Sequence, residues 1–183
     1  MESKHTWFHS GPVRDSIISF DLPIHSKWRV IQKENELEYQ AEPKVRGGVR
    51  PISFACIKVL CHDLNDVDRV AYLRIYKQIP HSGTQTIVGP ATRQQQAVAW
   101  IPPELLAYRD MTEKGSKVTP RILGWKVGKQ DSSDQLPEGF LVSFAWLKVP
   151  GVRLGDSLGA AKFWEYGRQE RDRIRSALRR TLP

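Results

Sequence analysis

Residues 51–60, PISFACIKVL, and residues 70–79, VAYLRIYKQI, carry the reading of the fold. The first run places apolar residues on both faces of an extended chain, which suits a buried strand. In the second, Val70, Tyr72, Arg74 and Tyr76 share one face, and Ala71, Leu73, Ile75 and Lys77 share the other. A period of two is that of a strand. Between them, His62 to Asp68 is rich in Asp and Asn, whose short polar side chains bond to nearby backbone in turns. The two runs therefore read as an antiparallel hairpin.

Downstream, Pro80, Gly83, Gly89 and Pro90 enclose a loop, and a helix follows from Pro102 and Pro103, both tolerated in a first turn, to Gly115. Glu104, Tyr108 and Met111 share one face of it. Pro120 returns the chain to an extended form, Ile122 to Val127 reads as a strand, and DSSDQLPEG is a loop. The apolar run GFLVSFAWL, residues 139–147, then predicts a central strand buried on both faces. After Pro150 and Gly151 come a connector and a basic helix from about Lys162, with Trp164, Ile174, Leu178 and Leu182 on one stripe.

Upstream, KWRVI at 27–31 alternates as a short strand, residues 34–50 read as a polar loop, and residues 1–26 show no sustained period. The expectation is a flexible leader over 1–26 that docks at most through Trp7 and Phe8, a domain over 27–151, and a connector with its C-terminal helix over 152–183. Strands that neighbour one another in sequence, with a single helix among them, favour an α+β fold: an antiparallel sheet of about five strands with one packed helix.

With 183 residues, 40% of them hydrophobic and 26% charged, the chain has a globular composition. MESKHTWFHS lacks the apolar core of a signal peptide, and no apolar run approaches the roughly 20 residues that span a bilayer. Cys56 and Cys61 are the two cysteines, and their odd separation turns them to opposite strand faces. Neither a shared metal nor a local disulfide is expected, which suits a reduced, intracellular protein of the cytoplasm or nucleus. Net charge is +8, and residues 162–183 hold half of that excess. Glu170 with Arg173 and Asp172 with Arg175 stand at ion-pair spacing, so the helix reads first as a solvated face and second as a nucleic-acid grip.

Short motifs carry little chemistry. Gly155-Asp156-Ser157-Leu158-Gly159 has the form of a nucleophile elbow, yet the last histidine, His81, lies upstream, and an elbow needs its base downstream. His62-Asp63-Leu64-Asn65 has the wrong spacing for a kinase catalytic loop and reads as a turn. Arg46-Gly47-Gly48 is a weak phosphate-loop signal, and no histidines or cysteines stand at metal-ligand spacing.

Longer blocks say more. AYLRIYKQIPHSGT (71–84), ELLAYRDMTEKGSKVTPRILGWKVGKQ (104–130) and PEGFLVSFAWLKVPGVRLGD (137–156) resemble the kinase-like domain proteins of filamentous fungi, in the region of the small lobe. The resemblance runs from about Glu38 to Leu182 and is strongest between Ala71 and Asp156. It implies that Arg74 stands where a kinase presents its phosphate-contacting lysine, that Glu104 is the helix glutamate paired with it, and that Trp146 to Gly151 is the hinge. Arg74, Glu104, Trp146, Leu147 and Lys148 would then be a vestigial nucleotide-binding set. Arginine is wider than lysine and a poorer substitute at phosphates, though its planar fork suits a carboxylate.

The resemblance further places a large lobe past Leu182, with the catalytic aspartate and Mg²⁺ ligands, whereas the sequence ends at Pro183. The expectation is a truncated or degenerate, non-catalytic pseudokinase without an ATP cofactor. It would bind a protein partner, or a second copy of itself, through the hinge and the C-terminal helix. Two alternatives stay open: an ATP-binding phosphotransferase fragment completed by another chain or a longer form, and a basic nucleic-acid-binding protein.

Overall fold

A computed structural model describes residues 6–9, 11–43, 51–86, 89–155 and 159–181. The hairpin organises it. Strands β1 (Ile17–Phe20), β2 (Ser26–Tyr39), β3 (Phe54–Asp63) and β4 (Val70–Gln78) follow in sequence, and Lys58 of β3 lies opposite Arg74 of β4. The turn between them is pinned by Asp63, which accepts from the Asn65 amide at 2.9 Å and pairs with Arg69 at 3.1 Å. Helices α1 (Pro90–Arg93) and α2 (Pro103–Glu113) come next, then β5 (Ile122–Lys129) and β6 (Phe140–Leu147). The fold is α+β, built on one antiparallel sheet of six strands in the order β1-β2-β3-β4-β6-β5.

The sheet curls until its ends meet. Leu22, just past β1, forms an isolated antiparallel bridge to Trp125 of β5, whose amide donates to the Leu22 carbonyl at 3.0 Å. One bridge thus fastens a nearly closed barrel. Because side chains alternate across a strand, each face has its own core. Inside pack Phe20, Trp28, Val59, Leu73 and Leu123, and outside, Leu105 of α2 packs with Phe140, Val142, Phe144 and Trp146.

Three sequence expectations are corrected. Residues 17–20 are a strand of the sheet, not part of a flexible leader, and Trp7 is buried with Ala55 and Ile79. Four residues are too few to show a period, and what holds them is distant: Phe20 sits so close to Gly124 that a Cβ there would lie 2.7 Å from its ring. Residues 34–39, read as loop, continue β2. Register shifts between Val30 and Gln32 and between Lys33 and Asn35 break the alternation there, so backbone pairing to β3 carries the strand without an apolar pattern. The sheet therefore has six strands where about five were expected. β6 is an interior strand, as expected, lying between β4 and β5, but Leu141 and Ser143 on its inner face are only half-buried because they line a cavity.

The chain divides into two units, Met1–Lys148 and Val149–Pro183. The second holds α3 (Ala161–Glu165) and α4 (Arg168–Thr181). Within it Arg171 lies 5.2 Å from the Trp164 ring and Arg175 lies 5.1 Å from Phe163. Both pairs expected from spacing form, Arg173 with Glu170 at 3.4 Å and Arg175 with Asp172 at 2.7 Å. Among the described residues no helix is long and apolar enough to cross a membrane. Gly47, Gly48, residues 156–158 and Leu182 lie outside the described residues.

Candidate functional site

Arg74 projects from the outer face of β4 between Tyr72 and Tyr76, which the two-residue period places beside it. Glu104 stands in the first turn of α2, where the helix dipole favours an acid. The two meet: Arg74 Nη1 donates to Glu104 Oε2, and the Tyr76 hydroxyl donates to the same oxygen at 3.0 Å. The Arg74 guanidinium also lies 5.5 Å from the centre of the Trp146 ring. Burial works most strongly against its charge, but Glu104, Cys56 and Tyr76 together hold Arg74 above its ordinary value. Burial likewise pushes the Tyr76 hydroxyl up, with Cys56 and Glu104 adding to it.

Aromatic rings surround this pair. Trp146 stacks on Tyr108 at 5.3 Å and tilts against Tyr72 at 5.9 Å, and Phe144 stacks on Tyr76 at 6.3 Å. Three of the five residues singled out in the sequence, Arg74, Glu104 and Trp146, therefore converge. Leu147 lies opposite Ala71 on the other face, with its side chain exposed, and Lys148 is exposed at the strand's end. Neither joins the cluster. The arrangement holds a cation already matched by a carboxylate, with an indole beside it; Arg74 Nε is buried without a hydrogen-bond partner.

Two features escaped the sequence. Ser53 and His81, both buried, hydrogen-bond at 2.8 Å from Oγ to Nδ1, while the Ala41 amide donates to the same Oγ at 2.9 Å. A serine beside a histidine has the makings of a nucleophile, but Ser53 is fully buried and a substrate cannot reach it. The pair clips the loop after β2 to the segment after β4. The other feature is a pair of cavities flanking β5, about 490 Å³ on the inner side and about 590 Å³ on the outer. No motif could announce them, because their walls come from separate segments, Trp7 to Ser143 in the inner one and Ala97 to Phe140 in the outer.

Cys56 and Cys61 are free and buried, and burial pushes both thiols up to about 12, so neither is a reactive nucleophile. Among the described residues no three histidine, cysteine, aspartate or glutamate side chains gather as a metal site would require. No family model, curated protein or solved structure matches the chain.

Proposed function

We propose that this chain is a kinase-like small lobe that binds another protein and does not transfer phosphate. The observation that carries the reading is the closed state of Arg74. In a working small lobe the corresponding cation must be available to nucleotide phosphates. A working small lobe also pairs its strand lysine with a helix glutamate, so what sets Arg74 apart is the wider guanidinium and the Trp146 ring 5.5 Å from it, not the contact with Glu104. The strand-to-helix ion pair is kept and its chemical use is given up, as suits a scaffold.

A binding role also fits the surface of the first unit. Leu106 and Met111 of α2 are 49% and 41% exposed, and Leu147 is exposed where the resemblance places the hinge. In the second unit, Trp164 is exposed at the start of the basic region. Nucleic-acid binding is the weaker reading, because Arg168, Arg173 and Arg175 are paired with carboxylates and Arg171 is engaged by the Tyr166 carbonyl.

Thermal unfolding of the full chain with and without ATP and Mg²⁺ tests the proposal, since a ligand that binds only the folded state raises the midpoint. The expected result is a cooperative transition that ATP does not move. A saturable rise in the midpoint, abolished by Arg74→Ala, would overturn the reading of Arg74 as closed to phosphates and leave a nucleotide-binding lobe in its place.

A further inference from the structure

We infer that the free edge of β5, residues 126–129, receives an extended acidic segment of a partner protein as an added strand. The inference rests on reading the chain as a protein-binding module and names the surface that would do the binding.

Three observations converge on these four residues. The first is the backbone. β5 is the last strand in the sheet order, and the Trp125 amide points away from β6 to reach Leu22. Backbone groups of an antiparallel strand alternate in direction, so the amides of Val127 and Lys129 also point outward. Past Trp125 no strand pairs with this edge among the described residues. An open row of amides and carbonyls is a template for strand addition.

The second observation is that the edge has a cavity on either side. Lys126 and Gly128 help to line the inner cavity, which lies over Phe8, Ile75 and Leu141 and is lined also by Ile17, Ile18 and Ser19 of β1, and Val127 helps to line the outer one, walled by Trp100 and Phe140. Gly128 and Lys129 border both. Successive side chains of an added strand point to opposite faces, so one residue would enter the inner cavity and the next the outer. Few sheet edges offer a pocket at each step of that alternation.

The third is charge, and it selects the occupant. The inner lining carries Lys77, Lys126 and Lys129 against one carboxylate, Asp134, which Lys77 engages at 2.5 Å. Lys129 pairs with Glu138 at 2.8 Å, while Lys126 has no carboxylate partner among the described residues. Antiparallel pairing of two copies of this edge joins outward-pointing residues, so a pair centred on Val127 sets Val127 against Val127 and brings the two Lys126 side chains diagonally across one face. Like charges held that close weaken a ladder. An acidic strand meets no such penalty and matches Lys126.

Linear peptides displayed on phage, panned on the full chain, supply the probe. The expected selection is an apolar pattern of alternating residues with Asp or Glu beside it. The synthetic consensus peptide should protect the amides of residues 126–129 from hydrogen exchange. Val127→Pro removes an outward amide that β6 does not use, so the fold should stand while affinity falls roughly tenfold or more. N-methylation of alternate peptide amides should do the same. Gly128→Leu is the second variant: its Cβ would meet nothing nearer than the Leu141 carbonyl at 3.7 Å, yet the side chain fills the inner cavity and should also weaken binding.

Binders indifferent to Val127→Pro and to N-methylation, or binders that protect other segments, would overturn strand addition and leave the binding-module reading intact. So would a self-association of the chain that Val127→Pro abolishes, since the occupant would then be a second copy. Failure to select any binder, together with a midpoint raised by ATP, would overturn both.

Discussion

Replacing Phe20 tests whether the N-terminal segment belongs to the barrel. Its ring is fully buried in the inner core. Truncating a buried Phe to Ala costs about 3–5 kcal/mol in lost burial and residual cavity, whereas in a dangling leader it would cost nothing. Gly124 supplies the other half of the experiment. A Cβ there would lie 2.7 Å from the Cβ, Cγ and Cδ2 of Phe20, closer than real contacts allow. Overpacking of this kind costs about 1–3 kcal/mol, against a gain of about 0.4–1 kcal/mol from the stiffer unfolded chain. Gly124→Ala should therefore destabilise on balance. In the Phe20→Ala background two of the three clashing atoms are gone and only the Cβ remains, so the cost of Gly124→Ala should shrink. The expected coupling is about 1 kcal/mol, within the range seen for residues in contact. Urea unfolding followed by the fluorescence of the six tryptophans measures all four proteins. A Phe20→Ala cost below about 1 kcal/mol, or strict additivity of the two substitutions, would refute the placement of β1 against β5.

Two other perturbations probe the polar contacts. Glu104→Gln leaves Arg74 charged, 23% exposed and without its carboxylate, and should cost about 1–3 kcal/mol, while the apolar pair Arg74→Met with Glu104→Leu should cost less than the single change. A pH titration of stability addresses His81, whose pKa burial lowers from 6.5. The unfolded chain then binds the proton more readily, so the contribution is complete above pH 6.5 and is lost as pH falls toward the folded value. Stability should decline on acidification from neutrality, and His81→Gln should flatten that decline.

The central hairpin was legible because its alternation is strict and its turn is rich in aspartate. The candidate site was legible in part for the same reason: Arg74 falls between two tyrosines on one strand face, and Glu104 and Tyr108 share one face of a helix. Trp146 could be placed on its strand but not over Arg74, since that depends on which strands become neighbours. The second half of β2 was lost to its two register shifts, and β1 to its brevity. Ser53 with His81, and the cavities beside β5, arise from contacts between distant segments, which no local period records.

The single bridge between Leu22 and Trp125 has a bearing on the order of synthesis. β1 leaves the ribosome first, yet the strand it must reach is made about a hundred residues later. At roughly 5–20 residues per second that interval is about 5–20 s. Throughout it Phe20 has no Gly124 to pack on, and the hairpin of β3 and β4 can form while the inner core still lies open on one side. Completion of the domain therefore waits on translation of residues 122–125, and a pause upstream of them would lengthen the time a nascent chain shows its inner core to chaperones.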